Sequence, residues 1–273
     1  MLLLLKSIIK DSIKRIKNFI NDADYKQWTI LERKYHLHPR FKELTLQIGE
    51  YKISTPDSAS LLSAYKEIFL KKTYQFKTKK SKPYIIDVGA NIGLSVLFFK
   101  KTFPSAEIIA IEADPHIFQY LQTNIHNNGF TDVELINKAA WHKETIIKFS
   151  SEGADAGRIA YDGDTNLVSV PAFDISSLLI NRSVDMLKID IEGAENNVLK
   201  ACRAHLQNVD NIIVEYHSKV EEEQQLDSIL ALLRDTGFRF QIHSINSNPQ
   251  PLVTTKIPYG FDLQLNIFAW RSS

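Results

Sequence analysis

The chain has 273 residues, 44% of them hydrophobic, which suits one large α/β domain with a sizeable core and an N-terminal extension. Its 33 basic residues against 32 acidic ones give a formal net charge of +1, so no global field draws nucleic acid, and none is expected as a partner. Cys202 is the sole cysteine, which excludes an intrachain disulfide and a cysteine zinc cluster, fits a reducing cytoplasm, and reads as a packed small residue in a helix.

At the N-terminus, Leu5, Ile9, Ile13, Ile16 and Ile20 recur at helical spacing with Lys6, Lys10, Lys14, Arg15 and Lys17 between them. That pattern predicts an amphipathic, basic helix. It is too short and too charged to span a membrane, and it lacks a signal peptide's basic start and small-residue cleavage site. Two roles stay open for residues 1–22: packing on the main domain or on a homodimer partner, or peripheral contact with the anionic inner face of a membrane. Residues 25–40 are polar with only a weak apolar pattern and are not placed. Leu44, Leu46 and Ile48, then Tyr51 and Ile53, alternate around Gly49-Glu50 and predict a β-hairpin. Residues 60–70 read as helix, and residues 71–82 as a basic connector, either solvated or steering an anionic substrate. The expected divisions are an extension over 1–40, a hairpin and helix over 41–83, and the main domain over 84–273.

From Tyr84 the pattern alternates strand and helix. Tyr84-Ile85-Ile86-Asp87-Val88-Gly89-Ala90-Asn91-Ile92-Gly93 predicts a buried strand, a tight turn and the start of a helix. Such a turn presents backbone N–H groups and, at glycine, lets a ligand approach closely. The Gly-x-x-x-Gly spacing is not the dinucleotide fingerprint. Asp87 disfavours a phosphate there and suits a cationic cofactor such as S-adenosylmethionine. Further strands are predicted at 108–111, closed by Glu112, at 133–136, and at 184–189, closed by Asp190. Another is predicted at 212–214, closed by Glu215, and two more at 238–242 and 263–270. Asp114-Pro115 is a helix-capping pair, and Asn128-Gly129 a stop signal. Between 141 and 171 the helical pattern lapses, and two antiparallel strands around a Gly- and Asp-rich loop are expected as a β insertion. Its loop, residues 152–165, either covers the site or forms a mobile hairpin tip. The whole predicts a doubly wound, Rossmann-like α/β sheet with helices on both faces.

Ligands of such sheets bind outside the carboxyl ends of the strands. Asp87, Glu112, Asp190 and Glu215 are all expected at that edge. Glu112 follows Asp87 by one βαβ unit, the position from which a carboxylate accepts both hydroxyls of a ribose. Asn137 to Ala140 end the next strand, where small residues leave room for an adenine ring.

These residues resemble the FkbM family of S-adenosylmethionine-dependent methyltransferases. The match runs through the turn at 86–93, Glu112-Ala113-Asp114-Pro115, Asn137-Lys138-Ala139-Ala140 and Glu215-Tyr216-His217. Its most distinctive run is Leu187-Lys188-Ile189-Asp190-Ile191-Glu192-Gly193-Ala194-Glu195, and it covers about residues 50 to 270. The resemblance implies a class I methyltransferase sheet with a reversed last strand and methyl transfer, usually to a hydroxyl oxygen. The implied acceptor is a sugar in a glycan or glycolipid, or a small natural product; cofactor binding without catalysis is the remaining alternative. Asp87, Gly89, Ala90, Asn91, Gly93, Glu112, Ala113, Asn137, Ala139 and Asp190 are then the expected cofactor residues. Asp190, Glu192, Glu215 and His217 are the expected catalytic group, with His217 suited by its ordinary pKa to act as base. Asp190, Glu192 and Glu215 are alternatively a set for Mg²⁺.

Overall fold

The computed structural model describes residues 2–150, 157–159, 167–220, 222–246, 248, 250–253 and 261–271. Most of the expected cover loop, 152–165, lies outside them. The chain forms two compact units, Met1–Gln75 and Phe76–Ser273.

In the first unit, helix α1 (Leu2–Asn21) takes the predicted amphipathic stretch. Helix α2 (Ala23–Tyr35) occupies residues that the sequence pattern left unplaced. Its start is fixed locally: Asp22 accepts a hydrogen bond from the Tyr25 N–H, Asp24 lies in the first turn, and Arg33 and Lys34 lie in the last. Strands β1 (Leu44–Ile48) and β2 (Tyr51–Thr55) form the expected hairpin around Gly49 at φ +59°. Helix α3 (Ser58–Tyr65) continues into a π-helical turn, Lys66–Leu70, where Tyr65 and Phe69 stack at 4.6 Å.

The second unit is built on a seven-stranded sheet. Its strands are β3 (Tyr84–Val88), β4 (Glu107–Ile111), β5 (Val133–Ile136), β10 (Val184–Ile189), β11 (Val209–Lys219), β12 (Arg239–Asn246) and β13 (Phe261–Trp270). Across the sheet the order is β12-β13-β11-β10-β3-β4-β5. Strands β11, β10, β3, β4 and β5 are mutually parallel, and β13 runs antiparallel to both β11 and β12. The last strand is therefore reversed, as expected. Helices α4 (Leu94–Thr102), α5 (Pro115–Asn127), α6 (Glu195–Cys202) and α7 (Leu226–Asp235) alternate with these strands. Asp114 caps α5 by accepting from the His116 and Ile117 N–H groups, with Pro115 in the first turn. Ile86, Val88, Leu187, Ile189, Ile212 and Val214 are fully buried and join Val198, Leu199 and Leu233 in one core. Cys202 belongs to this core, and burial pushes its thiol up to about 12.

The insertion is a second, four-stranded sheet of order β6-β9-β7-β8: β6 (Ala139–Trp141), β7 (Thr145–Ser150), β8 (Arg158–Ile159) and β9 (Leu167–Asp174). The basic connector is less free than its composition suggests. Lys80 pairs with buried Asp185 at 3.0 Å, and Lys82 pairs with Glu107 at 2.5 Å. Among the described residues, no helix is long and apolar enough to cross a membrane.

Candidate active site

The carboxyl edge of β3, β4, β10 and β11 carries two adjoining groups of side chains. The first surrounds the glycine turn. Gly89 has φ +80°, and a Cβ there would stand 1.8 Å from the Asp190 carbonyl oxygen. Only glycine fits, because the ends of β3 and β10 touch at this point. Gly93, at φ +92°, leads into α4.

The free N–H groups expected of the turn are spoken for. Those of Gly89 and Ala90 both reach the Ile111 carbonyl at 2.9 Å, and that of Gly93 reaches the Ala90 carbonyl at 2.9 Å. Asn91, in the left-handed region at φ +49°, donates its N–H to Glu112 Oε2 at 2.9 Å. Its own Oδ1 accepts from the Ile92 N–H at 2.6 Å. What the turn offers is thus the carboxylate it positions rather than spare donors.

That carboxylate is Glu112. It is buried, and its Oε1 accepts from the Asp114 N–H at 2.8 Å. Burial raises its pKa to about 7, although the two backbone N–H groups favour the ionised form. Asn137 fixes the backbone beneath it, donating to the Glu112 carbonyl at 2.9 Å and the Ala113 carbonyl at 3.3 Å. Ala139 does not end a core strand. The core strand stops at Ile136, and Ala139 opens β6, buried with Phe149, Val170 and Ala172 and packed against by Ala113. Its side chain is committed to the core of the insertion sheet.

Asp87 is fully buried and already balanced by a cation of the chain. Lys188 lies beside it in register, with Nζ 3.1 Å from Asp87 Oδ1, while Ser95 donates its hydroxyl to Oδ2. The same ammonium donates to the Gly89 carbonyl at 2.6 Å and stands 3.5 Å from Asp190 Oδ2. Lys188 therefore ties the glycine turn, Asp87 and Asp190 together. The charge of Asp87, expected to face a cationic cofactor, is met within the chain by Lys188.

The second group unites Asp190, Glu192, Glu195, Glu215 and His217. Strand β11 does not stop at Val214, as its apolar run suggests, but continues to Lys219 because β13 pairs alongside it. Glu215 and His217 therefore sit inside a strand and share one face of the sheet. His217 is buried, and its Nδ1 lies 3.1 Å from Glu195 Oε1. That same oxygen accepts from the Gly193 N–H at 3.0 Å and the Ile191 N–H at 3.3 Å. Glu195 thereby fixes both the loop and the imidazole ring. Nε2 faces Glu215 Oε1 at 3.5 Å and Glu192 Oε2 at 3.7 Å.

Electrostatics sort these groups into roles. Burial opposes a charge on His217, yet Glu192, Glu195 and Glu215 carry its pKa well above the ordinary value. The ordinary-pKa argument for His217 as the base therefore does not hold. Burial, reinforced by the charge of Glu215, raises Asp190 to about 7; burial raises Glu192 to about 8 against the pull of His217. Glu215 differs: although burial acts against its charge, His217 and the Gln264 amide, which donates to Oε1 at 2.9 Å, hold its pKa below the usual value. Glu215 is thus pushed toward the ionised form, and Asp190 and Glu192 toward the protonated form.

The Methyltransferase FkbM domain matches residues 87–240, more than half of the chain and the carboxyl ends of β3, β4, β10 and β11. The chain belongs to the FkbM methyltransferase family. It is 29% identical over 213 residues to "Methyltransferase sdnD" of Sordaria araneosa, spanning 64% of this chain and 80% of the relative. It is 26% identical over 211 residues to "31-O-demethyl-FK506 methyltransferase FkbM" of Streptomyces tacrolimicus, spanning 64% and 80%. Among solved structures, a methyltransferase FkbM from Methylobacillus flagellatus KT aligns at TM-score 0.49 and 14% identity, covering 78% of this chain and 53% of that one.

Three residues join this FkbM-family site that sequence reasoning did not assign to it. Lys188 and Glu195 lie in the distinctive 187–195 run, but strand alternation was too weak a guide to where Lys188 points. Gln264 has no local signal at all, because it reaches Glu215 and His217 only through the register of β13 on β11.

Proposed function

We propose that this methyltransferase uses S-adenosylmethionine to methylate a hydroxyl oxygen. The observation that carries the reading is Glu215, a carboxylate whose pKa is held below the usual value by His217 and Gln264, on the same carboxyl edge of the sheet as the glycine turn and Glu112. A hydroxyl is a poor nucleophile until its proton has somewhere to go. In the proposed step the acceptor oxygen attacks the methyl carbon in line with the sulfonium sulfur. The C–S electron pair returns to sulfur, giving S-adenosylhomocysteine, and the hydroxyl proton passes to Glu215. Ribose hydroxyls of the cofactor meet Glu112, the glycine turn admits its amino-acid end, and Lys188 orders Asp87 and Asp190 around it. The remaining barrier is lowered by alignment.

The proposed acceptor is a sugar hydroxyl of a glycan or glycolipid. A small natural product is the second reading, favoured by the Streptomyces relative, whose name describes methylation of a 31-O-demethyl compound. We also propose that α1 holds the protein against an anionic membrane surface, where a glycolipid acceptor would lie. The basic residues of that helix and exposed Ile13, Ile16 and Ile20 support the idea.

The test is calorimetric titration with S-adenosylhomocysteine, followed by turnover on hydroxylated acceptors, for wild type and Glu215→Gln. Both proteins should bind S-adenosylhomocysteine alike, while Glu215→Gln loses about 10²-fold or more in kcat, the usual worth of a positioned base. A folded wild type that does not bind S-adenosylhomocysteine would overturn the reading.

A further inference from the structure

Asp190, Glu192 and His217 come from the loop after β10 and from the middle of β11. One donor atom from each lies within 4.8 Å of the other two. Three donors around one ion at metal–ligand distances near 2 Å stand about 3 to 4 Å apart, so small side-chain rotations would close the set. The 3.7 Å between His217 Nε2 and Glu192 Oε2 is already at that spacing.

Two further features suit a metal centre. The first is the grip on the imidazole. Glu195 is buried and takes the Nδ1 side of the ring, which leaves Nε2 on the side of Glu192 Oε2 at 3.7 Å, with Glu215 Oε1 at 3.5 Å and the Gln264 amide nitrogen at 3.1 Å around it. A metal-bound histidine is held by such a carboxylate on its far nitrogen, which fixes its tautomer and orientation. The second is Asn266. It is 7% exposed, its Oδ1 has no hydrogen-bond partner among the described residues, and it stands opposite Glu215 on the site face of β13. A buried amide oxygen without a donor costs free energy unless something comes to meet it. A metal-bound water is such a donor.

We infer that Asp190, Glu192 and His217 bind one first-row divalent transition ion, with Glu195 positioning the histidine and Asn266 facing the ion's water shell. The inference rests on the methyltransferase reading of this edge and gives it a second cofactor. The ligand set differs from the all-carboxylate Mg²⁺ set that the sequence suggests: the donor atoms that lie within 4.8 Å of one another belong to Asp190, Glu192 and His217, so an imidazole nitrogen takes the place of Glu215. Imidazole with carboxylates suits Mn²⁺, Fe²⁺, Co²⁺ or Zn²⁺ better than Mg²⁺, which prefers oxygen donors and its own waters. Three protein ligands leave positions for exchangeable oxygen, and an acceptor hydroxyl placed there would be made more acidic.

Full-length protein, freed of metal by chelator and dialysis, is titrated calorimetrically with Mn²⁺ and separately with Mg²⁺, without cofactor. The expected result is one saturable Mn²⁺ site, with Mg²⁺ weaker by about 10-fold or more. Glu192→Gln and His217→Asn should abolish it, and Glu195→Gln, which keeps all three ligands, should weaken it about 10- to 100-fold. Replacing Mn²⁺ by Co²⁺ should give visible absorption bands that disappear in His217→Asn. Each variant is first titrated with S-adenosylhomocysteine, to which it should bind as wild type does, showing a folded site. S-adenosylhomocysteine binding by wild type without saturable Mn²⁺ binding overturns the metal centre and leaves the methyltransferase reading standing. Mn²⁺ binding without S-adenosylhomocysteine binding does the reverse. Undiminished Mn²⁺ binding in Glu192→Gln and His217→Asn also overturns the assignment.

Discussion

Glu112 shows how one buried carboxylate couples position to pH. Both of its oxygens already accept backbone N–H groups, from Asn91 and Asp114, so its geometry is set before any ligand arrives. Burial raises its pKa from 4.5 to about 7. The folded chain then keeps a proton that the unfolded chain releases, so this group's contribution to stability falls as pH rises from 4.5 to about 7. Ligand binding should run the other way, because an ionised carboxylate accepts stronger hydrogen bonds from ribose hydroxyls. S-adenosylhomocysteine affinity, measured by calorimetry, is expected to rise up to about 10-fold from pH 6 to pH 8, following the ionised fraction. Glu112→Gln should bind more weakly and lose the pH dependence. A wild-type affinity that is flat across this range would remove Glu112 from the ribose site. The sequence made Glu112 legible because strand spacing alone fixes it one βαβ unit after Asp87. Lys188 was not legible, since its partners Asp87, Gly89 and Asp190 meet only when β3 and β10 lie side by side.

Elements were readable where their cause is local, and less so where a distant partner sets them. The Asp114 cap, the Gly49 turn and the alternation after Tyr84 are written within a few residues of where they act. Strand β11 is different. Its second half, Glu215-Tyr216-His217-Ser218-Lys219, is too polar to read as strand, and it is extended because β13 supplies the ladder as far as Lys219. Tyr216 faces the apolar core, while Glu215 and His217 face the other way, so the overrun is what brings the proposed base and its histidine to this edge. Helix α1 is the reverse case, plain in sequence and unexplained by its own surroundings. Ile13, Ile16 and Ile20 are 49%, 59% and 72% exposed on a helix rich in lysine. Full-length protein is expected to float with vesicles containing phosphatidylserine and to stay behind with purely neutral ones, because basic residues near an anionic surface add about 1 kcal/mol each. Removal of residues 1–22 should abolish flotation. Equal recovery with neutral vesicles, or none with either kind, would count against the membrane role and favour a homodimer contact.

At the scale of the whole molecule, the alternating pattern foretold the α/β class, the family resemblance implied the reversed last strand, and the compact units divide the chain at a different point from the pattern. Its pattern suggested main-domain boundaries at 84, where the first core strand begins, whereas the compact unit starts at Phe76. The difference has a physical cause. Thr78 and Lys80 of the connector bind Asp185, whose carboxylate also accepts the Tyr84 N–H at 2.9 Å, so the residues ahead of β3 are stitched to the middle of the sheet. Phe76 likewise packs on Phe103 with ring centroids 4.8 Å apart. All the residues proposed here for cofactor, metal and proton transfer lie between 87 and 266, and the large apolar core spans Tyr84 to Ala269. We therefore expect residues 76–273 to fold without the preceding unit. They should bind S-adenosylhomocysteine within about threefold of full length, a difference under about 1 kcal/mol. Starting at residue 84 instead removes two partners of buried Asp185, and the cost of an unsatisfied buried carboxylate should appear as a lower urea midpoint, by about 1 to 3 kcal/mol in stability. Circular dichroism during urea unfolding and parallel calorimetry on the two truncations measure both effects. A folded 76–273 fragment that had lost cofactor affinity more than about 10-fold would assign part of the cofactor site to residues 1–75.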